Sequence, residues 1–63
     1  MTGKDIWRAR KTLGISQRAL GDALGLHWNT IARMERDEMP IMKQTELAIK
    51  YLLLVKKQKE GVR

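Results

Sequence analysis

Sixty-three residues with 13 Lys and Arg against 7 Asp and Glu, a net charge of +6, make one small, strongly basic domain. With no Cys and a single His, the chain lacks the means for disulfides, zinc or iron clusters and nucleophilic triads, so neither enzymatic activity nor a cofactor is expected. A chain this short hides only about 60% of the surface that its unfolded form exposes, which leaves oligomerisation as the available support, and its charge suits a polyanionic partner.

Thr2, followed three residues later by Asp5, has the spacing of a capping box and opens a first helix whose apolar positions Ile6, Ala9 and Leu13 recur at three and four residues. Gly14 ends it. Ser16 caps a second helix from Gln17, with Leu20, Ala23 and Leu24 inward and Gly25 as its stop. A third helix is predicted from near His27 to about Arg36, then a loop over Asp37 to Met42 that holds the only Pro. The fourth is predicted from Lys43 to about Lys57, with Gly61 fraying the end. No alternating run reads as a strand, so the chain is expected to be all-α. Its start, MTGKDIWRARK, has no apolar segment of signal-peptide type. The longest apolar run, Leu47 to Val55, is interrupted by Lys50 and falls short of the roughly 20 residues that a membrane span requires. A cytoplasmic protein with no membrane partner is the expectation.

At 100° per residue the third helix places Ile31, Met34 and Glu35 on one side, while Asn29, Arg33 and Arg36 fall within about 60° of one another on the opposite side. Trp28 and Ala32 flank that polar face, and Trp28 lies in the first turn, either folded back on the core or facing a partner. A short helix backed by one apolar edge and presenting Asn and Arg suits the DNA major groove, where Arg matches guanine, Asn matches adenine and an apolar ring meets the thymine methyl. Base reading is therefore assigned to Trp28, Asn29 and Arg33, with Arg33 central. Arg36, one turn further on, is assigned to phosphate.

From Gln17 to Arg36 the chain resembles the helix-turn-helix of the Cro and phage repressor family, often called the XRE family. Gln17 stands where that family's second helix opens with a phosphate-contacting Gln, Gly25 is the turn glycine, and Leu20, Leu24, Leu26, Ile31 and Met34 occupy the apolar sites that lock the two helices. The preceding LGISQ, Leu13 to Gln17, follows the family as well, and the resemblance extends over roughly Ile6 to Leu52. It implies a lambda-repressor-like domain of four or five helices, with the helix-turn-helix at residues 17–36. Gln17, Arg18, His27, Thr30 and Lys43 join Arg36 as expected contacts to the DNA backbone. Arg10, on the face of Ile6 and Leu13, and the inward Glu35 satisfy one another if paired, as the family's bridge between the first and third helices suggests; the alternative is Arg10 on a phosphate. Three departures stand out: Gly21 where the family usually has Ala, His27 in place of a Ser or Thr cap, and an acidic loop whose Asp37 and Glu38 would repel phosphates.

The fourth helix is apolar at eight of the nine positions from Leu47 to Val55, more than one core-facing stripe requires. Leu47, Ala48, Tyr51 and Leu52 or Val55 are expected to cover the core, leaving Ile49, Leu53 and Leu54 for a second copy. A two-fold dimer would place two recognition helices roughly 34 Å apart on a palindromic operator. The resulting expectation is a homodimeric, sequence-specific repressor of double-stranded DNA, autoregulatory and of phage or mobile-element type, such as the regulator of an anti-CRISPR operon, with no small-molecule ligand. The competing reading is an antitoxin-like module that grips a protein through the fourth helix. A membrane-surface helix, suggested by Lys56, Lys57 and Lys59, conflicts with the need for the same apolar run in the core.

Overall fold

The computed structural model describes the backbone of residues 1–61 and the side chains of residues 1–58. Helix α1, Gly3–Leu13, opens on the capping box read from the sequence: the Asp5 N–H donates to the Thr2 hydroxyl at 3.3 Å, and the Thr2 N–H donates to the Asp5 carboxylate at 2.8 Å. The Thr2 N–H, with its hydroxyl second, holds the Asp5 carboxyl below its ordinary range. Gly14 closes the helix in the left-handed region at φ 70°, where a side chain would be strained.

Ser16 Oγ accepts from the Ala19 N–H at 3.0 Å and starts α2, Gln17–Leu24. Helix α3, Trp28–Glu35, begins at His27, whose Nδ1 accepts from the Asn29 N–H at 3.1 Å. An imidazole thus performs the N-cap role of a hydroxyl. The loop that follows turns at Asp37, φ 58°, whose carboxylate accepts from the Gly3 N–H at 2.9 Å and so ties the end of α3 to the start of α1. That junction is tight, since a Cβ at Gly3 would run into the backbone oxygens of Met34 and Glu35. Helix α4, Lys43–Gly61, continues past the expected end near Lys57. Four helices and, among the described residues, no strand make the domain all-α.

The core is one cluster: Ile6 and Ala9 from α1, Leu20 from α2, Ile31 and Met34 from α3, and Ile49 from α4. Burial of each large aliphatic side chain contributes about 1.5–3 kcal/mol, so the five fully buried ones together contribute roughly 8–15 kcal/mol. Helix α3 packs chiefly on α2 and also on α1, while α4 packs on α1.

Three expectations are corrected here. On α4 the buried side is Ile49, flanked by half-buried Leu52 and Leu53, whereas Leu47, Tyr51 and Leu54 are more than half exposed. Ile49 is therefore a core residue with no surface left for a partner, and Leu53 packs against that core. A helix apolar nearly all round does not by itself specify which side turns inward, and Met39 and Ile41 in the loop before α4 pack against the same cluster. Ala23 is exposed and not inward, lining an open groove with Leu52 and Val55 of α4; Ala32 is buried at 6% exposure instead of flanking the polar face.

Candidate nucleic-acid interface

Two short helices joined by a three-residue turn present α3 to solvent. Gly25 turns the chain at φ 72°, and the Leu26 N–H donates to the Gly21 carbonyl at 2.7 Å. The returning chain passes so near α2 that a Cβ on Gly21 would stand 2.6 Å from the Leu26 oxygen and 3.3 Å from the Trp28 nitrogen. The close approach observed here thus requires Gly at the position where the resembling family usually has Ala.

Behind α3, Ile31 and Met34 enter the core, and Glu35 is held by charge. Arg10 Nε donates to Glu35 Oε2 at 2.7 Å and Nη2 to Oε1 at 3.2 Å, a two-point fork between side chains only 13% and 10% exposed. A third Arg10 nitrogen, Nη1, donates to the Ile15 carbonyl at 3.2 Å, so the guanidinium also pins the turn before α2. The expected pair between the first and third helices is therefore present, and Arg10 is not turned toward phosphate. Gln17 joins the same network: its Nε2 donates to Glu35 Oε1 at 3.3 Å. The amide expected to meet DNA backbone is turned inward, because the carboxylate of Glu35 lies within its reach.

The opposite face of α3 is open. Asn29, Arg33 and Arg36 are exposed, Thr30 is half-buried, and Trp28 is 42% exposed with its ring centroid 5.5 Å from that of His27. Trp28 has not folded into the core. Together with Arg18, Asp22 and Leu26, these two rings line a shallow recess of about 290 Å³ at the start of the helix. Because Nδ1 of His27 accepts the capping hydrogen bond, Nε2 is the nitrogen left to donate to an incoming anion. Lys43 lies apart, on the first turn of α4 beside Glu46.

At the other end of the face, Glu38 gathers both exposed arginines. Its Oε2 accepts from Arg36 Nε at 2.8 Å, its Oε1 accepts from Arg36 Nη2 at 3.2 Å, and Oε1 lies 3.8 Å from Arg33 Nε. The hydrogen bonds from Arg36 hold the Glu38 carboxyl below its usual range and, reciprocally, raise the Arg36 guanidinium. Sequence reasoning took Glu38 only as a charge that repels phosphate. Its pairing depends on a loop conformation, so no helical spacing signals it.

No protein family, no curated protein and no solved structure matches the chain. Among the described residues no cluster of three or more His, Cys, Asp or Glu could hold a metal, and no helix is long and apolar enough to cross a membrane.

Proposed function

We propose that this chain is a sequence-specific DNA-binding regulator that lays α3 in the major groove. The observation that carries the reading is the two-sided character of α3: Ile31, Met34 and the Arg10–Glu35 fork fix it from behind, and Trp28, Asn29, Arg33 and Arg36 stand together in front. In this reading Arg33 and Asn29 read base edges, Trp28 meets a thymine methyl, and Arg18, His27, Thr30 and Lys43 position the protein on phosphates, whereas Arg36, first expected there too, is already paired with Glu38. Repression follows from occupying DNA that polymerase needs, in the cytoplasm, and a net charge of +6 draws the protein to that DNA.

A second copy is the partner proposed for α4. The outward ridge of Leu47, Tyr51 and Leu54 borders a groove of about 680 Å³ lined by Leu13, Ile15, Ala19, Ala23, Leu52, Val55 and Lys56. The ridge adjoins the α4 wall of the groove, Tyr51 being four residues from Val55, so a two-fold axis would seat each ridge in the other copy's groove and close the assembly. A monomer at tens of micromolar in analytical ultracentrifugation would defeat this dimer and favour a heterologous, antitoxin-type partner.

Selection from a random DNA pool, repeated at several salt concentrations, tests the function. The expected result is an enriched palindrome with half-sites about 10 base pairs apart. Binding to all DNA alike, with no enrichment, would overturn the reading. On the selected site, Arg33→Ala is expected to cost about 1–3 kcal/mol and to relax preference at one base pair per half-site; an equal loss on every sequence would move Arg33 to the phosphate class.

A further inference from the structure

Arg33 and Arg36 are the two cations on the exposed face of α3, and both are already engaged by one carboxylate. Glu38 takes two hydrogen bonds from Arg36, at 2.8 and 3.2 Å, through the same guanidinium fork that binds phosphate. It reaches Arg33 only at Nε, 3.8 Å away, which leaves the outer edge of that guanidinium for a guanine. The three side chains are 56%, 52% and 49% exposed for Arg36, Arg33 and Glu38, so DNA lying along α3 meets this cluster directly.

We propose that Glu38 is a specificity-determining residue: an internal stand-in for phosphate that occupies Arg36 and steadies Arg33 for base reading. The proposal rests on the DNA-binding reading above and adds to it. On non-cognate DNA, where Arg33 finds no guanine in the right place, both arginines would serve as phosphate contacts if Glu38 were absent. On the cognate site Arg33 is committed to its base, so loss of Glu38 releases only Arg36. Glu38 therefore suppresses non-specific binding more than specific binding. Such a trade is cheap in the free protein, because an exposed ion pair contributes little to folding.

The magnitude follows from counterion release. Each phosphate neutralised changes the slope of log affinity against log salt by about 0.9, which corresponds to roughly fivefold in affinity at 0.15 M salt relative to 1 M. Glu38→Gln is accordingly expected to tighten cognate binding about fivefold and non-cognate binding about 25-fold, so the specificity ratio falls by about fivefold.

The test measures wild type, Glu38→Gln, Glu38→Asp and Asp5→Asn on a selected site and on a scrambled duplex across a salt series. Asp5, on the first turn of α1 where the Thr2 N–H donates to it at 2.8 Å, gives a charge-matched control away from α3 and from the cations assigned to DNA, and Asn keeps an acceptor oxygen there. Glu38→Asp keeps the charge and shortens the reach. Support requires that Glu38→Gln and Glu38→Asp both steepen the salt slope on scrambled DNA and lower the specificity ratio, with Asp5→Asn doing neither. The proposal is overturned if Glu38→Gln behaves like Asp5→Asn, if both affinities rise by the same factor, or if Glu38→Asp matches wild type, which would reduce Glu38 to a diffuse charge. Wild-type enrichment with a silent Glu38→Gln sinks this inference alone. Failure of the wild type to enrich any sequence sinks the regulator reading itself.

Discussion

Arg10→Met is expected to lower the stability of the folded domain by about 3–5 kcal/mol, measured by urea unfolding followed by circular dichroism. Methionine keeps much of the aliphatic volume, so the loss reports the guanidinium. Without it Glu35, only 10% exposed, keeps just the 3.3 Å hydrogen bond from Gln17, and the Ile15 carbonyl loses its donor. Removing one partner of such a pair is far more costly than removing both, since the cost lies chiefly in the stranded charge. The double variant Arg10→Met with Glu35→Leu should therefore recover most of the stability. A single-variant loss below 1 kcal/mol would show that Glu35 relaxes into water, and that the fork is not what holds α3 from behind. Because Glu35 closes the last turn of α3, the proposed role of that helix on DNA predicts weaker DNA binding by the single variant at temperatures where the domain remains folded.

The parts of this molecule governed by local chemistry were legible. Thr2 and Ser16 cap their helices, Gly14 and Gly25 take the left-handed turns, and the separation of Glu35 from Asn29, Arg33 and Arg36 follows from a 100° step. Four helices could thus be placed in order; the pair between Arg10 and Glu35 needed the family resemblance as well, with a phosphate as the alternative for Arg10. Features that depend on approach between elements were not legible. A helix apolar nearly all round carries no preference for one side, so the rotation of α4 was not readable, nor was the packing of Met39 and Ile41 from the preceding loop on the core. Gln17 is expected on the DNA backbone from the sequence, and its turn toward Glu35 depends on the approach of α2 to the end of α3, which no spacing reveals. Glu38 is two residues from Arg36 and five from Arg33, spacings that no regular element brings together; only the left-handed turn at Asp37 does so. The exposed tips of α3 were therefore read correctly as a face, while the carboxylate that governs two of them was missed.

Ile49→Ala is expected to cost about 2–5 kcal/mol, and Leu54→Ala less than about 0.5 kcal/mol when both are measured at a protein concentration low enough to keep the chain monomeric. Ile49 is wholly inaccessible and touches the cluster formed by α1, α2 and α3, so its truncation loses transfer energy and leaves a cavity that a rigid helix cannot collapse into. Leu54, 51% exposed, gives up little in the monomer. At higher concentration the order of interest changes. If the outer ridge of α4 seats in a second copy, wild-type stability rises with concentration through mass action, and Leu54→Ala loses that increment while Ile49→Ala retains it on a weakened base. Unfolding curves for the three proteins over a hundredfold range of concentration separate the two faces of the helix. A concentration-independent midpoint for the wild type would remove the second copy from the ridge; a small effect of Ile49→Ala would mean that α4 is rotated from the position described, with a different side against α1.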